Sequence, residues 1–178
     1  AKGTPSLRAL ATTGNPIVME NARPGTENWK IPNGRQATTE IQAYAGAPSV
    51  QPGKNITFYV STQQEGTYYS VDIYRLGWYG GAGGRLLASE INLLGHAQGY
   101  YNPANQLLIN CSSCRVDIST GLVEANWRPS YSVTVPRDWT TGMYLAKFTE
   151  AQGKQTYVPF DVLGNSSSAY VAVTPDTT

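Results

Sequence analysis

From Ile17 onward the chain runs in short β-branched and aromatic stretches whose apolar and polar side chains alternate. Ile17–Glu20, Thr39–Tyr44, Asn55–Val60 and Tyr69–Tyr74 come first, and Gln106–Ile109, Tyr131–Val135, Met143–Phe148, Tyr157–Val162 and Ala169–Val173 come after them. Alternation at a period of two places successive side chains on opposite faces of a sheet, so each stretch predicts a strand with one buried face. In Met143–Phe148, for example, Tyr144, Ala146 and Phe148 form the apolar face and Leu145 and Lys147 the other. Pro52-Gly53 is a turn that launches a strand, because Pro fixes φ and Gly tolerates positive φ. Pro159 has no N–H to give to a ladder and predicts an edge strand or a bulge. No window of eleven or more residues carries an apolar period of 3.6; the best, Arg85–Leu94, reads equally well as a strand. The fold class expected is therefore all-β, an antiparallel sandwich of two sheets, immunoglobulin-like or jelly-roll-like, with long loops between Gly77 and Pro129.

The 178 residues suit one domain. Residues 1–15 show no period and read as an extended leader, disordered or available to pair with a neighbour, and 16–178 read as a single sandwich. Charged residues make up 14% of the chain and 18 Gly stand with 11 Pro, which excludes a long helical bundle. Net charge is +1 and no basic block occurs, so nucleic acid is not an expected partner. No apolar run is long enough to span a bilayer, and the N-terminus lacks the apolar middle of a signal peptide, as in a chain that is mature or never had one. Twelve Tyr, few Lys and Glu, and one close Cys pair suit a secreted or cell-surface protein.

Candidate chemistry is sparse. Gly77-Trp78-Tyr79-Gly80-Gly81-Ala82-Gly83-Gly84-Arg85 lacks the Lys-Ser/Thr of a phosphate loop and the third Gly of a dinucleotide fingerprint. It reads as a glycine turn, with Trp78 and Tyr79 laid over the sandwich end. Trp78, Tyr79, Tyr100 and Tyr101 are the candidates for an aromatic surface that takes a sugar or a partner chain. Cys111-Ser112-Ser113-Cys114 reads as a local disulfide, since Arg115-Val116-Asp117-Ile118 beyond it does not open a helix and one His completes no zinc site. His96 reads as a loop-surface residue, with no nucleophile elbow to serve it. The carboxylates are scattered, so a glycosidase pair is not expected. Asn and Asp oxygens of sandwich loops bind calcium without a linear motif, so calcium stays open; no other cofactor is expected.

Several segments taken together resemble a known family. These are Glu20–Thr26, Trp29–Pro32, Ile41–Ala45, Pro52-Gly53 with Phe58–Thr62, Ile73–Gly81, Asn126-Trp127 with Ser130-Tyr131, and Val135-Pro136 with Asp138-Trp139 and Gly142–Lys147. They are similar to the N-terminal β-sandwich region of proteins like the large (beta) subunit of N,N-dimethylformamidase. The resemblance implies a sandwich beside a larger domain in which amide hydrolysis uses an iron held by Tyr and Glu. The chain ends about where that domain is expected to begin, so no catalytic or metal residue is carried over. Arg75, Asn126, Trp127, Asp138 and Trp139 are expected to be architectural, with Arg75 stacked on an aromatic ring.

The function expected is a non-catalytic extracellular docking or accessory module of such a protein, not an enzyme, whose partner is another protein. Two alternatives stand beside it. One is a self-assembling filament or surface-layer subunit that uses its leader for strand addition to other copies. The other is a carbohydrate-binding module.

Overall fold

The computed structural model describes residues 14–164. The expected leader up to residue 13 and the expected strand Ala169–Val173 lie outside that range. Two sheets carry the fold. One has the order β1 (Ile41–Ala45), β3 (Asn55–Thr62), β10 (Tyr131–Thr134). The other has the order β2 (Ser49–Val50), β12 (Gln155–Val162), β11 (Gly142–Glu150), β4 (Tyr68–Leu76), β5 (Gly84–Leu94). All these pairs are antiparallel except β12 with β2.

The inward faces obey the alternation read from sequence. Ile56, Phe58 and Val60 of β3 meet Val71 and Ile73 of β4, Tyr144, Ala146 and Phe148 of β11, and Val158, Phe160 and Val162 of β12 in one buried cluster. Phe58 sits between the sheets, with its ring edge-on to Phe148 at 5.5 Å and to Phe160 at 5.7 Å. Such offset contacts add to area burial. Pro159 opposes Leu145 in an unbroken β11–β12 register, while β2 pairs β12 only at Asp161 and Val162. It therefore lies on a locally open edge, where the missing N–H leaves no ladder position empty.

Two stretches differ from the expectation. Ile17–Glu20 is not a strand but part of helix α1 (Pro16–Asn21). Asn15 caps it, its side chain accepting from the Ile17 and Val18 amides, and Pro16 stands in the first turn, where its φ is already helical. The stretch Gly77–Pro129 is also less loop-dominated than expected. It holds β5 and two small hairpins, β6 (Tyr100–Asn102) with β7 (Leu107–Ile109) and β8 (Arg115–Asp117) with β9 (Leu122–Glu124).

Both outer sheet faces are covered in part. Residues 23–36 cross the face of the larger sheet, and the Asn126–Ser130 segment lies on the smaller. On that smaller face Tyr44 stacks on Tyr59 at 4.8 Å, and Trp127 tilts against Tyr44 at 5.4 Å. Among the described residues no helix is long and apolar enough to cross a membrane.

Candidate functional site

The glycine-rich turn after β4 is where widely separated parts of the chain meet. Arg75 is buried, and its guanidinium reaches five acceptors. Nε donates to the Thr140 carbonyl (3.3 Å), Nη2 to the Thr141 carbonyl (3.0 Å), and Nη1 to Asn21 Oδ1 (3.0 Å), the Tyr79 hydroxyl (2.9 Å) and the Leu76 carbonyl (3.4 Å). The Tyr79 hydroxyl in turn donates to Glu20 Oε1 at 3.0 Å, and Arg85 Nε donates to the same oxygen at 2.6 Å. Tyr79 thus relays between a buried cation and a buried carboxylate. Arg23 lies 3.4 Å from the other Glu20 oxygen.

Each charge in this cluster has its compensation. Burial alone would raise the Glu20 carboxyl, but hydrogen bonds from Arg85 and Tyr79 and the charges of Arg85 and Arg23 hold it below its ordinary value. Burial pushes the Tyr79 hydroxyl up, against the pull of Arg75. The expected stacking of Arg75 is loose, its guanidinium carbon 6.0 Å from the Tyr79 ring centre. Its main partners are neutral oxygens, and the acidic group is reached only through Tyr79.

Missing side chains make this approach possible. A Cβ on Gly77 would stand 2.3 Å from Asn21 Oδ1, and one on Gly25 would stand 2.4 Å from the Tyr79 Cβ. One on Gly84 would stand 2.6 Å from the Trp29 ring. Beyond the cluster the arm continues across the sheet. The Thr26 amide donates to the Gly84 carbonyl at 2.7 Å and Trp29 Nε1 to the Ala82 carbonyl at 3.0 Å. From the sheet, Lys147 Nζ donates to the Asn28 carbonyl and the Tyr157 hydroxyl to the Trp29 carbonyl, both at 2.5 Å. Lys147 is buried under the arm with its Nζ 5.4 Å from the Tyr74 ring centre, and burial pulls its pKa down despite nearby Asp72.

The other sequence-selected residues are dispersed. Trp78 is 70% exposed while its neighbour Tyr79 is 3% exposed, so the four candidate aromatics do not form one surface. The left-handed backbone at Tyr79 (φ 42°) turns its ring inward, away from the face that Trp78 occupies. Tyr100 is half-buried; Tyr101 is exposed, and its backbone pairs with the Gln42 side chain. Cys111 and Cys114 are joined as a disulfide. Asn126 takes a left-handed turn (φ 49°) that delivers Trp127 onto Tyr44. Trp139 stacks on Tyr144 at 5.0 Å, and Asp138 is exposed beside it.

Sequence reasoning did not single out Glu20, Asn21, Arg85 or Lys147. Its available signal was that Glu20-Asn21 and Arg75–Gly81 both belong to the segments resembling one family. It also missed the partner of His96, whose Nδ1 lies 2.6 Å from Glu65 Oε1 while Glu65 Oε2 accepts from the Ala97 amide at 2.7 Å. The Ala97 amide and His96 hold the Glu65 carboxyl low. His96 is nonetheless exposed, on an open cleft of about 430 Å³ shared with Ser112, Ser113, Asn126 and Arg128. Among the described residues no group of three or more His, Cys, Asp or Glu side chains could hold a metal ion.

Residues 70–178 match the family model described as N,N-dimethylformamidase beta subunit-like, C-terminal. The chain belongs to the N,N-dimethylformamidase beta subunit-like family. The matched model is described as C-terminal, where the motif resemblance pointed to an N-terminal region. Arg75–Gly84 lies inside the matched range, and the arm it holds precedes it. No curated protein matches this family member.

Solved structures offer distant likenesses. The alkylpurine DNA glycosylase of Pseudomonas fluorescens bound to DNA containing an abasic site analog is 9% identical, with a TM-score of 0.36. The β-glucosidase of Listeria innocua in complex with glucose is 10% identical, with a TM-score of 0.27. The matches cover 71% and 70% of this chain but only 31% and 16% of those proteins. At such scores they carry no argument about this family member.

Proposed function

We propose that this chain is a non-catalytic docking or accessory module of a larger N,N-dimethylformamidase beta subunit-like protein, working outside the cell or at its surface. The observation that carries the reading is the fate of the family motif. Arg75 and Tyr79, with Glu20, Asn21 and Arg85, bond to one another and to backbone inside the domain. Arg75, Tyr79 and Glu20 are buried, so their polar groups build a scaffold and are not presented to a substrate. The joined cysteines support an oxidising location.

Strand addition by a leader is less well supported at the long edge. β5 carries extra residues at Leu87 and around Ile91-Asn92, the places where its register with β4 shifts, and it displays Glu90. Bulges and charges are how sheet edges avoid pairing with other chains.

The test is twofold. The purified chain, assayed against N,N-dimethylformamide with ferrous iron supplied, is expected to release no amine. Titrated calorimetrically with the remainder of the protein encoded in the same reading frame, it is expected to bind. Amide hydrolysis by the chain alone, lost on Glu20→Gln, would overturn the reading.

A further inference from the structure

The β8–β9 hairpin hydrogen-bonds to no other strand among the described residues. Every residue from Arg115 to Glu124 is exposed. A two-stranded hairpin by itself is marginal in water. The register sets Arg115 opposite Glu124, Val116 opposite Val123 and Asp117 opposite Leu122. Alternation therefore places Val116 and Val123 on one face and Arg115, Asp117, Leu122 and Glu124 on the other, with Ile118 following in the turn. Val116 and Val123 are 57% and 49% exposed and Ile118 96%, so among the described residues nothing covers this apolar face.

The base of the hairpin is held firmly. The Cys111–Cys114 disulfide closes one leg, and Ser113 Oγ donates to the Ala125 carbonyl at 2.8 Å to join it to the other. A Cβ on Gly99 would stand 2.4 Å from the Cys111 Cβ, so the disulfide loop also packs on the body of the domain. At the tip, Asp117 Oδ1 accepts from the Ser119 amide at 2.9 Å and the Ser119 hydroxyl at 2.6 Å, which orients its carboxylate.

Charge then selects an occupant. β8 reads Arg-Val-Asp, which is self-complementary about Val116. If a second copy pairs with its outer edge antiparallel, Val116 faces its own counterpart, and each Arg115 faces the other copy's Asp117. Opposite charges directly across a ladder are favourable and like charges are not. β9 reads Leu-Val-Glu and would set Leu122 against Glu124, so the β8 edge is the better one.

We propose that two copies of this chain associate through antiparallel β8–β8 pairing about a two-fold axis at Val116. The product is a four-stranded sheet, β9-β8-β8-β9, with one continuous apolar strip from both copies. The interface is isologous and small, so the dimer is a weak one. This goes beyond the docking reading and does not depend on it.

Sedimentation velocity on the full chain, over a concentration series, is the test. Association is expected, and R115D alone or D117R alone is expected to weaken it by about tenfold or more. An equimolar mixture of the two variants is expected to restore it, because every reversed residue then faces an opposite charge. Circular dichroism reports whether the variants fold. If either does not, Val116→Cys serves instead, and its oxidation is expected to give a covalent dimer where Ile118→Cys does not. The proposal is overturned by a chain that stays monomeric at every concentration, by a dimer indifferent to both reversals, by a mixture of folded variants that does not associate, or by equal cross-linking at 116 and 118.

Discussion

The Arg85 guanidinium donates to the Glu20 carboxylate at 2.6 Å, joining β5 to helix α1 across 65 residues of sequence. Glu20 is buried and Arg85 partly exposed. Tyr79 donates to the same Glu20 oxygen and accepts from Arg75. The arm that crosses the larger sheet is therefore anchored at its start by charge and further along by backbone.

Glu20→Gln is expected to destabilise the domain by about 2–3 kcal/mol, since it leaves Arg85 and the Tyr79 hydroxyl with a weaker acceptor. Urea midpoints at pH 7 check this. Because the folded Glu20 carboxyl is held low, its contribution is full above the ordinary value of 4.5 and is lost as pH falls through the folded value. The loss of stability with acid is therefore expected to be shallower in Glu20→Gln than in the parent.

Gly77→Ala and Gly25→Ala are expected to loosen the arm without unfolding the sandwich. The new methyl would press on Asn21 and Arg75 in the first case, and on Tyr79 and the Gly84 carbonyl in the second. A cost of about 1–3 kcal/mol is expected for each. Limited proteolysis is expected to cut within residues 14–36 sooner than in the parent while residues 41–162 remain intact.

The alternation pattern located β1, β3, β4, β7, β10, β11 and β12 to within a few residues, because each of them has a face on a core or a neighbour that enforces it. It failed at α1. Ile17, Val18 and Met19 look like strand residues, and the local signal from Asn15 and Pro16 outweighed their preference. It also failed at Lys147, which the pattern placed with Leu145 on the face away from the core. That face is covered by an arm more than 100 residues away in sequence, and no local period reports such a crossing. The Glu20–Arg85 pair was hidden for the same reason. Trp78 and Tyr79, adjacent in sequence, part company because of one left-handed residue.

Tyr69→Phe is expected to leave stability unchanged or raise it, because the Tyr69 hydroxyl is buried with no hydrogen-bond partner among the described residues. Burial pushes the pKa values of Tyr69 and Tyr74 up to about 12. In the unfolded chain these groups lose their protons near pH 10, so folded stability is expected to fall between about pH 10 and 12. The fall is expected to be shallower in Tyr69→Phe, as thermal melts across that window would show.

Replacing Cys111 and Cys114 together by Ser is expected to cost about 2 kcal/mol or less, the chain-entropy value for so short a loop. The core strands contain neither residue. Hydrogen exchange is expected to quicken in residues 99–125 and to stay as it was in β3, β4 and β11.

Lys147 and Tyr157 grip the arm by the carbonyls of Asn28 and Trp29, and a carbonyl is the one group that every amino acid supplies. What the sheet recognises at position 28 is thus a path and not a side chain. Relatives are free to vary that residue widely while the lysine keeps its acceptor, whereas lengthening or shortening the arm by one residue would slide a different oxygen into place.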